Sequence, residues 1–238
     1  MNTLYSKIVQ AKINNEKKIA LLLDPEKIQL HEVLKIINNI KQTPISYIFV
    51  GGSTFNGDYL DELMLQLKKN INLPIFIFPG NASQIAKNAD ALLFLSLLSG
   101  RNPKYLIEQQ IEAVSYLEHS DLEVISTAYL LIDGGIETAV QRVSATIPIS
   151  NTDFDLAYKT AKAGEYLGSK LIYLEAGSGA KNPVPIEMIQ HIASKTTIPL
   201  LVGGGIRTKK AIDDAFDAGA TIVVIGTAFE EDNAFFKE

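Results

Sequence analysis

The feature that most constrains how this chain folds is a repeated alternation of short apolar runs with longer amphipathic segments. Eight of the runs are rich in β-branched residues and apolar on both faces, which is typical of buried parallel strands. The predicted strands are Ile19–Asp24, Tyr47–Gly51, Ile75–Phe78, Ala91–Leu97, Glu123–Ile132, Lys170–Glu175, Pro199–Gly203 and Thr221–Gly226. The segments of helical period between them are Gln29–Ile40, Tyr59–Lys69, Pro103–Leu117, Asp155–Leu167, Pro185–Lys195 and Lys209–Ala218.

This order of elements predicts an α/β fold, a TIM (β/α)8 barrel that forms one domain over residues 1–238. An open doubly wound sheet is the alternative, but the number of strands and the chain length favour the barrel. Two connections are irregular. Ala82–Ala89 holds at most a short helix, so the helix after strand 3 is reduced, and Ser144–Asp153 is an extra loop.

The composition excludes several classes of protein. Hydrophobic residues make up 47% of the chain and charged residues 21%, a balance that supports a large core and argues against disorder. The net charge of −5, with basic residues interspersed among acids, argues against nucleic acid as a partner. Because the chain has no cysteine, disulfides and a thiol nucleophile are excluded.

The chain also lacks an apolar run of the roughly 20 residues that span a bilayer. The longest such run is Ala91–Leu98, and residues Met1–Lys18 are too polar for a signal peptide. We therefore expect a cytoplasmic protein that contacts a membrane surface at most transiently.

Most predicted strands end in a glycine-rich or polar cluster. The clusters are Asp24-Pro25, Gly51–Thr54, Pro79–Asn81, Asp133–Gly135, Glu175–Gly179, Gly203–Gly205 and Gly226-Thr227. In a barrel the carboxyl ends of all strands share one face, and that face carries the active site. The clusters therefore predict one polar site at the top of the barrel.

Two of these clusters favour a phosphate site. The turn at Gly203–Gly205 lets backbone N–H groups approach an oxyanion without obstruction by Cβ, and Gly226-Thr227 adds further donors. The alternative is that these glycines only form tight turns. Thr208 is expected to cap the next helix, and Arg207 is interpreted as a solvated surface residue rather than a phosphate ligand.

Acidic side chains at two strand ends suggest chemistry. Asp24 is a candidate ligand for Mg²⁺ together with the hydroxyl of Ser53, which Thr54 could replace, because Mg²⁺ uses few carboxylates plus phosphate oxygens. The alternatives are that Asp24 caps the following turn and that Ser53 is a plain turn residue. Glu175 would accept hydrogen bonds from substrate hydroxyls or act as a general base, unless it is a structural glutamate paired with a barrel lysine.

Strand alternation places Tyr173 and Glu175 on one side of the sixth strand and Leu174 on the other. Gly177–Gly179 could fold into another anion nest. His31, His119 and His191 lie in helical stretches away from the strand ends, so histidine catalysis and a histidine metal site have no support.

These segments, in this order, resemble the geranylgeranylglyceryl phosphate synthase family. The resemblance rests on Leu22–Lys27, Val50–Ser53, Phe78–Asn81, Tyr173–Gly179 and Val202–Arg207, and it extends from about Lys18 to Glu231. Members often carry Asp where this chain has Glu26, so no ligand is placed there. The segment Gly203–Arg207 is shared with many barrels and is the least specific part.

The resemblance implies a Mg²⁺-dependent prenyltransferase that joins a polyprenyl diphosphate to sn-glycerol 1-phosphate, with Asp24 and Glu175 as catalytic residues. Asp24 and Ser53 match the family's metal positions. The implied glycerol 1-phosphate site consists of Tyr173, Leu174, Glu175, Ala176, Gly177, Ser178, Gly179, Gly204, Gly205, Gly226 and Thr227. In the implied reaction the C3 oxygen of the glycerol attacks C1 of the prenyl chain while the diphosphate departs.

Relatives within the family that use longer prenyl chains lack the residues found here at Ala176–Ala180, so the resemblance implies the twenty-carbon geranylgeranyl donor, and a longer, heptaprenyl donor is the alternative. Candidates for an apolar prenyl groove are Phe76, Phe78, Leu97, Tyr129 and Leu131, although core packing is the default interpretation of each.

Two other functions remain open from the sequence. One is a sugar-phosphate isomerase barrel that uses Asp24 and Glu175 as its acid and base, and the other is a non-catalytic metabolite- or phospholipid-binding barrel. A homo-oligomer, most simply a C2 dimer, is expected from the frequency of symmetric assemblies.

Overall fold

The computed structural model describes residues 3–55, 59–232 and 235–236. Eight parallel strands pair in chain order, and the barrel closes where β8 pairs with β1. The strands are β1 Lys18–Leu23, β2 Ile45–Val50, β3 Ile75–Ile77, β4 Ala91–Leu97, β5 Glu123–Leu131, β6 Leu171–Glu175, β7 Leu200–Gly203 and β8 Ile222–Ile225. The predicted TIM barrel and all eight predicted strands are confirmed, with ends that differ by at most two residues.

Successive strand residues alternate between the barrel interior and the layer under the helices. The interior cluster holds large side chains such as Tyr47, Phe76 and Tyr173, whereas Leu174 belongs to the cluster packed against the helices. Both Tyr173 and its neighbour Leu174 are fully buried. The predicted opposite orientation of these two residues is confirmed, because a strand directs consecutive side chains to opposite faces.

The helices surround this barrel. They are α1 Leu4–Ile13, α2 Val33–Ile40, α3 Leu60–Asn70, α4 Gln109–Leu117, α5 Ala139–Ser144, α6 Phe154–Tyr166, α7 Ile186–Ala193, α8 Lys209–Asp217 and α9 Thr227–Glu231. Within the described ranges, none of them has both the length and the hydrophobicity needed to cross a bilayer.

Each of the six predicted helical segments corresponds to one of these helices, although α3 and α6 each extend one residue beyond the predicted segment. Two of the predicted segments begin with another kind of turn. A 3-10 turn at Leu30–Glu32 precedes α2, and a π-helical turn at Lys104–Glu108 precedes α4. After β3 the chain forms a 3-10 turn at Ala82–Gln84 in place of a full helix, so the reduced helix is confirmed. The predicted extra loop begins at the last residue of α5, and its Ile149 bridges to Ile132.

Helix α1, which the sequence analysis did not predict, covers the amino-terminal end of the barrel. Its Ile8 and Ala11 are buried, and Ile8 belongs to the interior cluster. The carboxylate of Glu123, the first residue of β5, accepts hydrogen bonds from the amides of Leu4 at 2.6 Å and Tyr5 at 2.9 Å. These amides belong to the first helical turn, where no intrahelical acceptor exists, so Glu123 anchors α1 to the barrel.

We predict that Glu123→Ala lowers the free energy of unfolding by about 1–2 kcal/mol, because two amide groups lose a charged acceptor. Urea unfolding measures the change, and hydrogen exchange should show faster exchange in α1 than in the strands. Glu112→Ala, at an exposed position of α4, is the matched control and should have little effect. An unchanged urea midpoint for Glu123→Ala would contradict the anchoring role.

Candidate active site

A polar pocket opens at the carboxyl ends of the strands. It is bounded by the segments that follow β1, β2, β6, β7 and β8, together with α5. Nine of the predicted site residues line it, namely Asp24, Ser53, Glu175, Ser178, Gly179, Gly204, Gly205, Gly226 and Thr227. Residues that are up to 203 positions apart in the chain therefore meet in one site, as the strand-end clusters predicted.

Four other predicted residues do not line this pocket. The side chains of Leu174 and Ala176 pack in the layer under the helices, so any contact of these two residues with a substrate would have to come from their backbone. Tyr173 lies in the barrel interior below the pocket, and Gly177 supports the site from behind through its amide.

Glu175 is the central titratable group of the pocket. It ends β6, its residue surface is 5% exposed, and its Oε1 accepts a hydrogen bond of 2.7 Å from the amide of Gly177. Burial raises the pKa of Glu175 to about 7, although Tyr173 and the Gly177 amide favour the ionised form. The carboxyl can therefore gain or lose a proton near neutral pH, as a general base requires.

The alternative of a glutamate paired with a barrel lysine is wrong. Among the described residues no ion pair involves Glu175, and no cation contributes to its pKa. Ionising a buried carboxyl that has no cationic partner costs free energy, so a contribution to stability does not explain a glutamate at this position. Its place at the barrel mouth points to a role in catalysis.

The glycine turn after β7 makes room for this carboxylate. A Cβ on Gly204 would lie 2.4 Å from Oε1 of Glu175, and the residue has a φ of +80° that favours glycine. A Cβ on Gly203 would lie 2.7 Å from Oε2 of Glu175 and from the hydroxyl of Tyr173. The turn therefore has a packing role, since it leaves room for the carboxylate of Glu175.

Asp24 both caps a turn and faces the pocket. Its Oδ1 accepts a hydrogen bond of 3.1 Å from the amide of Glu26, at the start of the 3-10 turn Pro25–Lys27. Burial raises the pKa of Asp24, and the negative charges of Glu26 and Glu230 contribute in the same direction, while the Glu26 amide and Lys27 oppose it. The capping interpretation is therefore confirmed, and Asp24 also lines the pocket, while its role as a metal ligand stays a prediction.

The surroundings of Asp24 fit a hard cation. A carboxylate whose ionised form is disfavoured by burial and by neighbouring acids would be stabilised by a bound cation, and the hydroxyl of Ser53 lines the same pocket. In the part of the chain that the structure describes, no group of three or more His, Cys, Asp or Glu side chains could hold a metal. Phosphate oxygens and water would therefore have to supply most of the ligands of Mg²⁺, as that ion commonly allows.

Arg207 is exposed, as predicted, but it is not simply solvated. Nη1 of its guanidinium donates to the carbonyl of Ala180 at 2.7 Å, and Nη2 donates to the carbonyl of Gly179 at 3.4 Å. Arg207 thus ties the loop after β7 to the loop after β6. Thr208 caps α8 through a hydrogen bond from the amide of Ala211, which confirms that prediction.

An apolar groove adjoins the polar pocket. The two cavities share Gly52, Ser53, Phe78, Tyr129 and Val140. From this shared wall the groove runs between β4, the π-helical turn before α4, and α5, and its further lining includes Leu92, Phe94, Leu97, Tyr105 and Val143. The polar and apolar halves of the site are therefore adjacent and share one wall.

Three of the predicted groove residues, Phe78, Leu97 and Tyr129, line this groove. The prediction was wrong for Phe76 and Leu131, which are buried in the barrel interior as ordinary core residues. Tyr105 and the groove residues of α5 were missed, since only tertiary packing brings them to the groove. The pattern Thr138-x-x-Gln141, typical of a helix start, was a signal for α5, and Thr138 does cap that helix.

Comparison with known proteins identifies the family to which this chain belongs. The model of the PcrB family matches residues 11–238. A geranylgeranylglyceryl phosphate synthase from Flavobacterium johnsoniae is 55% identical over 236 residues, which are 99% of this chain and 97% of that protein. A protein of the same name from Zunongwangia profunda is 46% identical and matches over the full length of both chains.

A solved structure gives the same answer. The crystal structure of (S)-3-O-geranylgeranylglyceryl phosphate synthase from Thermoplasma acidophilum, in complex with its substrate sn-glycerol-1-phosphate, superposes with a TM-score of 0.92. It is 33% identical to this chain, and the match covers 99% of this chain and 95% of that one. The chain therefore belongs to the PcrB family, the family of these geranylgeranylglyceryl phosphate synthases, and is an enzyme of the prenyltransferase class.

Proposed function

We propose that this enzyme transfers a geranylgeranyl group from geranylgeranyl diphosphate to the C3 hydroxyl of sn-glycerol 1-phosphate, with Mg²⁺ as cofactor. The observation that carries the proposal is the adjacency of the two cavities. A polar pocket that contains a carboxyl with a pKa of about 7 shares a wall with an apolar groove. The reaction needs such a site, because one substrate is wholly polar and the other is a polar head on a long hydrocarbon tail.

The polar acceptor fits the side of the pocket formed after β6, β7 and β8. Ser178, Gly179, Gly204, Gly205, Gly226 and Thr227 line that side. Gly179, Gly204 and Gly205 have positive φ values, so the backbone turns there and can direct N–H groups at a phosphate. The phosphomonoester would bind these amides, and the glycerol hydroxyls would then lie toward Glu175.

The donor fits the opposite side of the pocket and the groove. Its hydrocarbon tail would pack against Phe78, Phe94, Leu97 and Tyr105, while its diphosphate would lie near Asp24 and Ser53. Mg²⁺ held there would neutralise the charge that builds on the departing diphosphate. The reacting C1 atom would then lie at the shared wall, beside Phe78 and Tyr129.

Glu175 performs the proton transfer in this arrangement. Its carboxylate accepts the proton of the C3 hydroxyl, the C3 oxygen forms a bond to C1 of the prenyl chain, and the bond from C1 to the diphosphate oxygen breaks. The Gly177 amide holds Oε1 of this carboxylate in place. Fixing both reactants in one cavity supplies much of the rate.

The apolar groove also bears on the alternatives. A sugar-phosphate isomerase has no use for an apolar groove beside its catalytic pocket, and a binding protein has no need of a buried carboxyl that titrates near neutral pH. The geranylgeranyl donor is favoured over a heptaprenyl donor by the names of the relatives and by the Ala176–Ala180 segment.

The first prediction concerns the reaction itself. Purified enzyme incubated with radiolabelled sn-glycerol 1-phosphate, geranylgeranyl diphosphate and Mg²⁺ should transfer the label to a lipid extractable into organic solvent. Heptaprenyl diphosphate should give a lower kcat/KM. Binding of both substrates without any lipid-soluble label would contradict the proposed function.

The second prediction concerns Asp24. Asp24→Ala should lower kcat/KM for the donor by about 100-fold at fixed Mg²⁺, because the metal loses its carboxylate ligand. Chelation of divalent ions should abolish the activity of the wild type. Asp121→Ala, which removes an exposed carboxylate before β5, is the matched control. Near-normal transfer by Asp24→Ala would show that the metal assignment is wrong.

The third prediction concerns pH. Because the base must be ionised, kcat/KM should rise with pH and level off above the pKa of Glu175, which is about 7. Glu175→Gln should lose about 100-fold or more of the activity, together with this pH dependence.

Loss of folding would not explain that result. The pKa of Glu175 is raised in the folded state, so the folded protein loses stability as pH rises from the ordinary glutamate value through about 7. Glu175→Gln should therefore be at least as stable as the wild type at pH 8 by thermal unfolding. A flat pH profile for the wild type, or full activity in the variant, would contradict the role of base.

A further inference from the structure

A lysine–glutamate ion pair lies at the rim of the polar pocket, between the loops that follow the neighbouring strands β1 and β8. Nζ of Lys27 donates to Oε2 of Glu230 at 2.7 Å. Lys27 ends the 3-10 turn after β1, and Glu230 lies in α9 after β8, so the pair joins the first strand-end loop to the last. Both residues line the pocket, and the side chains are 45% and 26% exposed.

Lys27 is one of few positively charged side chains in a pocket whose charged side chains are mainly acidic. The described residues that line it include the acids Asp24, Glu26, Glu137, Glu175 and Glu230 and the bases Lys27, Arg142 and Arg207. The lining is therefore net acidic, although the proposed reaction brings a phosphomonoester and a diphosphate into it. Such anions require cationic partners beyond a single metal ion.

The two arginines already have other contacts. Arg207 donates to the carbonyls of Gly179 and Ala180, and Arg142 donates to the carbonyl of Glu137 and lies 3.6 Å from its carboxylate. Among the described residues of the lining, Lys27 is the sole lysine. Its flexible stem can carry a point charge from one acceptor to another without rebuilding a loop.

The position of Lys27 favours the donor side of the pocket. Lys27 and Asp24 belong to the same turn, in which the Lys27 amide donates to the carbonyl of Asp24 at 3.0 Å. The positive charge of Lys27 opposes the rise in the pKa of Asp24 that burial causes, so the two side chains interact. An anion that binds at Asp24 through a cation therefore comes within reach of the Lys27 ammonium.

We infer that Lys27 binds the diphosphate of the prenyl donor and that Glu230 holds the ammonium group at the pocket mouth until the diphosphate replaces the carboxylate. The inference rests on the proposed function and adds a substrate-binding residue to it. An exposed ion pair contributes little to stability, so exchange of one acceptor for another is easy. The charge-assisted contact with phosphate oxygens then favours the bound donor.

The inference makes a prediction that a purely structural ion pair does not make. If the pair only joined two loops, removal of either partner would have the same effect. If Glu230 competes with the diphosphate for Lys27, removal of the lysine weakens donor binding, whereas removal of the glutamate strengthens it.

The test is steady-state kinetics on three variants, Lys27→Gln, Lys27→Arg and Glu230→Gln. All assays use saturating Mg²⁺, because Glu230→Gln removes a negative charge near Asp24 and would otherwise weaken binding of the metal. Lys27→Gln should raise KM for geranylgeranyl diphosphate about tenfold and leave KM for sn-glycerol 1-phosphate within about twofold. Lys27→Arg should restore most of the donor affinity. Glu230→Gln should lower the donor KM about two- to fivefold.

Lys17→Gln is the matched control. Lys17 pairs with Asp217 at 3.0 Å, also between the β1 and β8 regions, but it precedes β1 and so lies at the opposite end of the barrel. It should leave both KM values unchanged. Donor KM values that rise in both Lys27→Gln and Glu230→Gln, or a rise confined to the acceptor KM in Lys27→Gln, would overturn the inference.

Binding of Mg²⁺-pyrophosphate, measured by calorimetry, tests the same inference without turnover. Lys27→Gln should bind it about tenfold more weakly than the wild type, and Glu230→Gln should bind it at least as tightly. If the wild type forms no lipid product but this order of affinities holds, the proposed reaction fails while the diphosphate site stands. Equal affinities in the wild type and Lys27→Gln would overturn the site.

Discussion

The structure of the site depends on one unfavourable group, the carboxyl of Glu175 buried at the mouth of the barrel. The Gly177 amide is its hydrogen-bond donor, and burial moves its pKa to about 7. The neighbouring loop leaves room for it, since a Cβ at Gly203 or Gly204 would clash with the carboxylate oxygens. Stability alone gives no reason for such an arrangement, whereas proton transfer at neutral pH does.

The same loops therefore serve two purposes. The turn after β7 has no side chains, so it leaves room for the carboxylate of Glu175, and it also lines the pocket. Arg207 holds this turn against the loop after β6 through the carbonyls of Gly179 and Ala180. The pocket lining at Gly179, Gly204, Gly205 and Gly226 therefore consists of backbone, whereas the lining at Asp24, Ser53 and Lys27 includes side chains.

Much of this could be predicted from the sequence, for a physical reason. Buried parallel strands must be apolar on both faces, so eight strands were visible, and the polar residues at their ends had to share one face. Asp24, Ser53 and Glu175 were found in this way. The orientation of Tyr173 and Leu174 followed from the strand period.

The rest depends on tertiary contacts that the sequence pattern does not encode. Helix α5 has six residues, too few for a periodic signal, and α1 joins the barrel through tertiary contacts, namely the burial of Ile8 and the hydrogen bonds to Glu123. Phe76 and Phe78 are the same residue type and lie two positions apart, so the sequence does not distinguish them. Because β3 ends at Ile77, Phe76 is buried in the barrel interior and Phe78 lines the groove. The pairing of Lys27 with Glu230 joins residues 203 positions apart, and no local pattern marks it.

The central claim is that the buried carboxyl of Glu175 titrates near neutral pH in the free enzyme. A ¹³C NMR titration of glutamate-labelled protein measures this directly, with the Glu175 signal assigned by its absence from Glu175→Gln. The account predicts a midpoint at about pH 7. A midpoint near that of an ordinary exposed glutamate, about 4.3, would contradict it.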